Sequence, residues 1–307
     1  AFQSIWPTML PHFSKGAGVL PQLQELQQAT VILHRTDEVL EFLNSQARRR
    51  GRDKLRQIMN SLKRIFLRKR IKPIAALRAV RTLLGQSPEG LIITGGEQTP
   101  AARAMLQASA VPVVQIMGEV DKPIDINVGF SHFEAGAAVA QLLLNRSYLK
   151  IGFIGARMDP RTCQRLDGFE GILSAANRLD KKRIITTQKP SSVAMGASLF
   201  RELMTITQGN CDAVFCCNDD LALGVLHQCK KMHIDVPKQF GVCGFNDIEM
   251  AAYAEPALST VRVNRYNMGS KAMELIFEKI NPQTDEASSI SAYINTGFEL
   301  VIRQSTR

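Results

Sequence analysis

The sequence predicts an α/β protein built on doubly wound parallel sheets, with an irregular front. Two observations carry that prediction. From about Leu77 onward, short apolar runs alternate with amphipathic helical patterns to the end of the chain, the order expected of a parallel sheet with crossover helices. Polar residues follow several of the runs, at the carboxyl edge where open α/β sheets bind small ligands.

Residues 1–47 are weakly patterned. VLPQLQELQQATVIL and VLEFLNSQ can each make a short helix, but neither has a clear cap or a clean apolar face. Residues 48–72 can form a helix with Leu55, Ile58, Met59, Leu62, Ile65 and Phe66 on one side, which Pro73 would stop. From Leu77 the texture changes. LRAVRTLL reads as the end of a helix and GQSPEG as a turn. LIITG reads as a buried parallel strand. In TPAARAMLQASA, Thr99 caps a helix that carries Pro100 in its first turn. VPVVQIM and DINVGF are the next strands, followed by the helix HFEAGAAVAQLLLNR. The strand KIGFIG precedes the helix RTCQRLDGFEGILSAANR, and the short strand RIITTQ precedes MGASLFRELMTIT. AVFCC leads into the helix DDLALGVLHQCKKM. FGVCGF is a strand, MGSKAMELIFEKI a helix and FELVIRQST the closing strand. The expected division is 1–76 and 77–306.

A chain of 307 residues has room for two sizeable cores. No apolar run approaches the roughly 20 residues that span a bilayer, and the start has no signal-peptide pattern. Six cysteines, Cys163, Cys211, Cys216, Cys217, Cys229 and Cys243, form no CxxC pair and have no His at ligand spacing. Most lie in apolar runs, so free buried thiols, a reducing cytoplasm and no metal site are expected. The net charge of +10 belongs to one segment. Between Arg48 and Lys72 twelve basic residues face one acidic residue, Asp53, which is +11 and leaves −1 for everything else.

Four groups of polar residues can carry chemistry. Asn218, Asp219 and Asp220 follow AVFCC; Asn218 suits a sugar hydroxyl, whereas Asp219 or Asp220 can simply cap the next helix. Arg165 offers a planar fork to a carboxylate or vicinal hydroxyls, or else lies on a solvated face with Arg157 and Arg161. Asn246 and Asp247 follow FGVCGF as ligand contacts or as an Asx turn. Ser131 and His132 follow DINVGF, and Glu97 and Gln98 follow LIITG, at the same edge. His132 has no Ser–His–Asp pattern around it. No GxGxxG, P-loop, GxSxG or HExxH motif is present, so no enzyme, catalytic residue or cofactor is expected.

Taken in order, NDDLALGVL, VPKQFGVCGFND, PALSTVRV, MG and FELVIRQST resemble the core of the LacI/GalR family of bacterial transcriptional regulators. VPVVQIMGEVDKPIDINVGFSHFEA and IGARMDPRT are most similar to the gluconate and idonate repressors within it. The resemblance implies two subdomains of the type I periplasmic-binding-protein-like fold, a homodimer in the cytoplasm, operator DNA and a sugar or sugar-acid effector. It implies that Arg165 of RLDGF grips the effector and that Asn218 and Asn246 contact it. Ser131, His132 and Glu97 stand at matching edges. Asn246 and Ser131 replace the family's usual Asp, and the lost negative charge favours an anionic ligand. Effector binding in such proteins closes the subdomains and shifts the DNA-binding elements. The alternative is a sugar-binding protein of the same fold without sequence-specific DNA binding.

The front departs from the family. Residues 1–76 contain no recognisable helix-turn-helix, and the first core strand, its helix and the second strand are not legible. Three readings stand: a shifted reading frame or mis-joined fragment, a diverged nucleic-acid arm in which Arg48, Arg49, Arg50 and Arg52 neutralise phosphates, or a basic helix for another partner. The abrupt loss of pattern favours the first.

Overall fold

The computed structural model describes residues 30–32, 73–94, 98–281 and 293–307. Two compact units form from interleaved pieces of chain: unit 1 from residues 1–130 and 264–296, unit 2 from 131–263 and 297–307.

In unit 1, five strands are β1 (Thr30–Ile32), β2 (Leu91–Thr94), β3 (Val113–Ile116), β4 (Ile126–Gly129) and β10 (Tyr293–Asn295), in the order β1-β2-β3-β4-β10. Every pairing is parallel, with Leu91 opposite Thr30 and Val113, and Val128 opposite Ile116 and Ile294. Helices α1 (Pro73–Leu84), α2 (Pro100–Ala108) and α8 (Arg265–Ile280) belong to this unit. Val80, Leu91, Ile93, Ala102, Leu106 and Val113 form its buried cluster. Helix α2 starts where Thr99 Oγ1 accepts from Ala102 N at 3.2 Å, with Pro100 in the first turn. Strand β1 is a finding beyond the sequence reading, which placed no strand before residue 77; three residues carry too little periodicity to be recognised. Strand β10 was missed for the same reason.

Unit 2 holds a parallel sheet in the order β6-β5-β7-β8, made of β5 (Ile151–Ala156), β6 (Ile184–Thr187), β7 (Ala213–Cys216) and β8 (Gly241–Cys243). Its helices are α3 (His132–Asn145), α4 (Pro160–Ala175), α5 (Val193–Ile206), α6 (Asp219–Lys231) and the short α7 (Glu249–Tyr253). Strands β9 (Thr260–Arg262) and β11 (Glu299–Val301) pair antiparallel, Thr260 opposite Val301 and Arg262 opposite Glu299. The closing strand is thus shorter than the run FELVIRQST. Phe153, Phe169 and Phe215 fill the centre with ring centroids 5.5–5.7 Å apart and no exposure. Each contributes about 1.5–3 kcal/mol by burial, and the tilted pairs somewhat more.

Glycines set the spacing of the helix pairs. A Cβ on Gly136 of α3 would fall 2.0 Å from the Arg165 carbonyl oxygen, and one on Gly168 of α4 2.0 Å from the Phe133 carbonyl oxygen. The two backbones touch at both points, so α4 is held against α3 at a depth no larger residue permits.

Candidate ligand site

Each polar residue at the carboxyl edge of the unit 2 sheet is placed by the element it begins or ends. Helix α4 starts at Pro160, capped by Asp159, whose carboxylate accepts from Thr162 N at 3.0 Å. The Thr162 hydroxyl donates to the same carboxylate and accepts from the Arg165 Nη2 at 3.1 Å. Gly168, three residues on, seats this turn against α3. Arg165 is only 8 % exposed, so it does not lie on a solvated face. Its guanidinium carbon stands 4.2 Å from the centre of the Phe245 ring. The His132 ring lies on Phe245 as well, with centroids 5.9 Å apart. Burial lowers the Arg165 pKa to about 10, with Arg161 a smaller contribution in the same direction; the group stays cationic at neutral pH. Its Nε is buried and has no hydrogen-bond partner among the described residues, a donor that an oxygen ligand would satisfy.

Asn218 is the cap of α6: its Oδ1 accepts from Leu221 N at 3.1 Å. The expectation that Asp219 or Asp220 would cap is corrected here. Asp219, at the first helical position, turns inward and is 1 % exposed. It accepts from the Thr260 hydroxyl at 2.6 Å and from Ile248 N at 2.9 Å. Burial, the largest effect, raises its pKa to about 6 against the lowering of those two bonds. Gly244 makes room for it, since a Cβ there would meet its Oδ1 at 2.2 Å.

Asn246 and Asp247 follow with φ of 117° and 50°. Such left-handed values are uncommon outside glycine and store strain where surrounding contacts enforce them. Here the contacts are Asn246 N donating to the Val261 carbonyl at 2.9 Å and Asp247 between two arginines, Arg262 Nε at 2.7 Å and Arg303 Nη2 at 2.8 Å. Asp247 is therefore an ion-pair clamp.

Ser131 caps α3 by accepting from Glu134 N at 3.2 Å, and His132 opens that helix with 3 % exposure. The structure thus brings Arg165 and His132 together on Phe245, a residue that sequence reasoning missed as a contact although it stands in the FGVCGF run. Asn218 and Asn246 begin the segments on either side of Asp219. Glu97 and the basic residues Arg48, Arg49, Arg50 and Arg52 lie outside the described residues, as does the rest of the irregular front apart from β1 and the first residues of α1. Gln98 is described and accepts from Gln115 Nε2 at 3.1 Å in unit 1.

Among the described residues no His/Cys/Asp/Glu group is arranged to hold a metal ion. None of their helices is long and apolar enough to cross a membrane. None of the six cysteines is in a disulfide and five are buried, with burial pushing the Cys211 and Cys229 thiols up to about 12.

Comparison with known proteins places this geometry. The model of the periplasmic binding protein-like domain matches residues 140–306. The HTH-type transcriptional regulator GntR of Pseudomonas aeruginosa is 40 % identical over 228 residues, which are 74 % of this chain and 65 % of that protein, so the chain spans less than two thirds of this relative. The crystal structure of the transcription regulator GntR from Chromobacterium violaceum superposes with a TM-score of 0.73 at 31 % identity, over 91 % of this chain and 99 % of that one. A LacI family transcriptional regulator from Silicibacter pomeroyi superposes at 0.68 and 29 % identity, over 77 % and 84 %. With more than half of its length matched by the domain model and its unit 2 sheet built accordingly, the chain belongs to the periplasmic-binding-protein-like domain family, in the form that LacI-family regulators carry.

Proposed function

We propose that this chain is the sensing part of a LacI-type transcriptional regulator and that its effector is a sugar acid of the gluconate class. The observation that supports this most is the charge balance at the unit 2 edge. Arg165 brings a buried cation whose Nε has no hydrogen-bond partner among the described residues. The Asp159 carboxylate reaches it only through the Thr162 hydroxyl, and Asp219 and Asp247 are spent inward, the first on Thr260 and Ile248 and the second on Arg262 and Arg303. A buried cation with no carboxylate in direct contact favours an anionic ligand, and a carboxylate matches the arginine fork. Asn218 and Asn246 each follow a residue that neighbours Arg165, Cys217 and Phe245, and offer amides suited to hydroxyls, with Ser131 and His132 completing the edge. Relatives named as transcriptional regulators support the wider reading.

Calorimetry with gluconate, on the full chain and on Arg165→Ala, tests the effector. The expected result is heat with the native protein and at least a tenfold weaker or unmeasurable association in the variant. No heat with the native protein removes the sugar acid. Operator DNA is the second proposed partner, with a homodimer as its binding form, cytoplasmic location, and the basic run from Arg48 to Arg52 as the source of phosphate contacts. A mobility-shift series in rising salt, with operator-like and random DNA, tests it. Equal affinity for both sequences removes sequence-specific regulation by this chain and leaves a ligand-binding protein.

A further inference from the structure

One carboxylate at the proposed site has no outlet to a ligand and is buried at evident cost. Asp219 is 1 % exposed and lies at the amino end of α6, directly after the cap Asn218. Its two oxygens are each committed, one to the Thr260 hydroxyl on β9 and one to the backbone N–H of Ile248. Its own N–H donates to the Phe245 carbonyl at 3.0 Å. Asp219 therefore touches both ends of the segment Phe245–Ile248, whose two middle residues hold φ of 117° and 50°. The Thr260 hydroxyl extends the hold, accepting from Asp247 N at 3.4 Å. Gly244 supplies the space, since any Cβ there would collide with the carboxylate.

We propose that Asp219 is the positioning residue of this loop: its buried carboxylate splints the strained turn and so fixes Asn246, and the Phe245 ring under Arg165, in the arrangement that receives the effector. The inference deepens the proposed function and rests on it for the ligand, but the splint itself is a property of the free protein. An ionised carboxylate is the stronger acceptor for both donors. Protonation weakens the hold, so effector affinity should fall as the medium turns acid. The charged and titratable groups around Asp219 are Asp220 on its own helix, Asp247 on the loop with its partners Arg262 and Arg303, and the Cys216 and Cys243 thiols on β7 and β8, both raised by burial. Through Phe245 it also neighbours Arg165 and His132. A sugar-acid carboxyl ionises near about 4 and contributes little above pH 5.

Two measurements test the splint. In the 15N-labelled full chain without ligand, the Ile248 amide resonance should shift with pH around a midpoint of about 6, and the shift should vanish in Asp219→Asn. Calorimetry with gluconate should show native affinity dropping roughly tenfold from pH 7 to pH 5, with Asp219→Asn about tenfold weaker at pH 7 and flat across that range. Thr260→Val, which removes one donor and keeps the volume, should weaken binding in the same direction. If Asp219→Asn fails to fold, the native amide titration and Thr260→Val decide the matter. An Ile248 resonance indifferent to pH overturns the proposal. So does a pH profile that persists in Asp219→Asn and disappears in His132→Gln. Absence of gluconate binding in the native protein sinks the sugar-acid reading, and the amide titration still decides the splint.

Discussion

The Arg165 guanidinium stands 4.2 Å from the centre of the Phe245 ring, joining the sixth residue of α4 to the residue two past β8. In a desolvated setting such a contact is worth up to about 2 kcal/mol. It holds the cation in one place without using its hydrogen-bonding edge.

Phe245→Leu keeps most of the apolar volume and removes the ring face. Gluconate affinity is expected to fall roughly tenfold, with a stability loss of about 1–2 kcal/mol from the smaller buried side chain. Calorimetry and a melting curve check this; an unaltered affinity would mean that the ring does not orient the arginine.

Gly168→Ala and Gly171→Ala make a matched pair on α4. At Gly168 the new methyl would meet the Phe133 carbonyl at 2.0 Å, and backbone cannot move aside as a side chain can. A loss of about 1–3 kcal/mol is expected, with Arg165 displaced and binding weakened. Gly171 has nothing within 4 Å of an added Cβ, so alanine there should stabilise by about 0.5–1 kcal/mol through helix propensity. Urea unfolding of both variants distinguishes packing from propensity.

Asn246→Gly relieves the φ of 117°. The expected outcome is a protein more stable by roughly 1 kcal/mol that binds gluconate less tightly, because the amide is gone. A variant that is neither stabler nor weaker in binding would mean that the turn carries no strain and Asn246 no contact.

Asp219 also sets a pH dependence of folding. Burial raises its pKa from 3.8 to about 6, so between those values the folded chain holds a proton that the unfolded chain has released. Stability from this group is therefore greatest below pH 4 and declines as pH rises to about 6, by roughly 3 kcal/mol in all. Denaturation at a series of pH values should reveal that decline in the native chain and lose it in Asp219→Asn. Affinity and stability thus move in opposite directions over one interval, which separates this carboxyl from a merely structural one.

Much of the fold was legible because its strands are long enough to be bounded. LIITG, KIGFIG and AVFCC all became strands near their expected limits, and Thr99 with Pro100 opened α2 as their chemistry requires. Strands β1, β9 and β10 escaped as separate elements, since three residues show no period. At the site, strand ends were visible but depth was not. Arg165 has the same pattern as Arg161 one turn earlier, and only the close approach at Gly136 and Gly168 buries one of them. The cap expected of Asp219 or Asp220 went to the amide of Asn218 and Asp219 went to the interior, because the vacancy that admits the acid lies 25 positions later, at Gly244.

The chain enters unit 2 after Phe130, leaves it after Val263 and returns after Thr296. No single cut therefore liberates either unit whole. A fragment ending at Val263 lacks β11 and, with it, Arg303, one of the two cations gripping Asp247. Deletion mapping of such a protein would misassign its parts, and dissection calls for permuted chains in which 297–307 is stitched back to the body it completes.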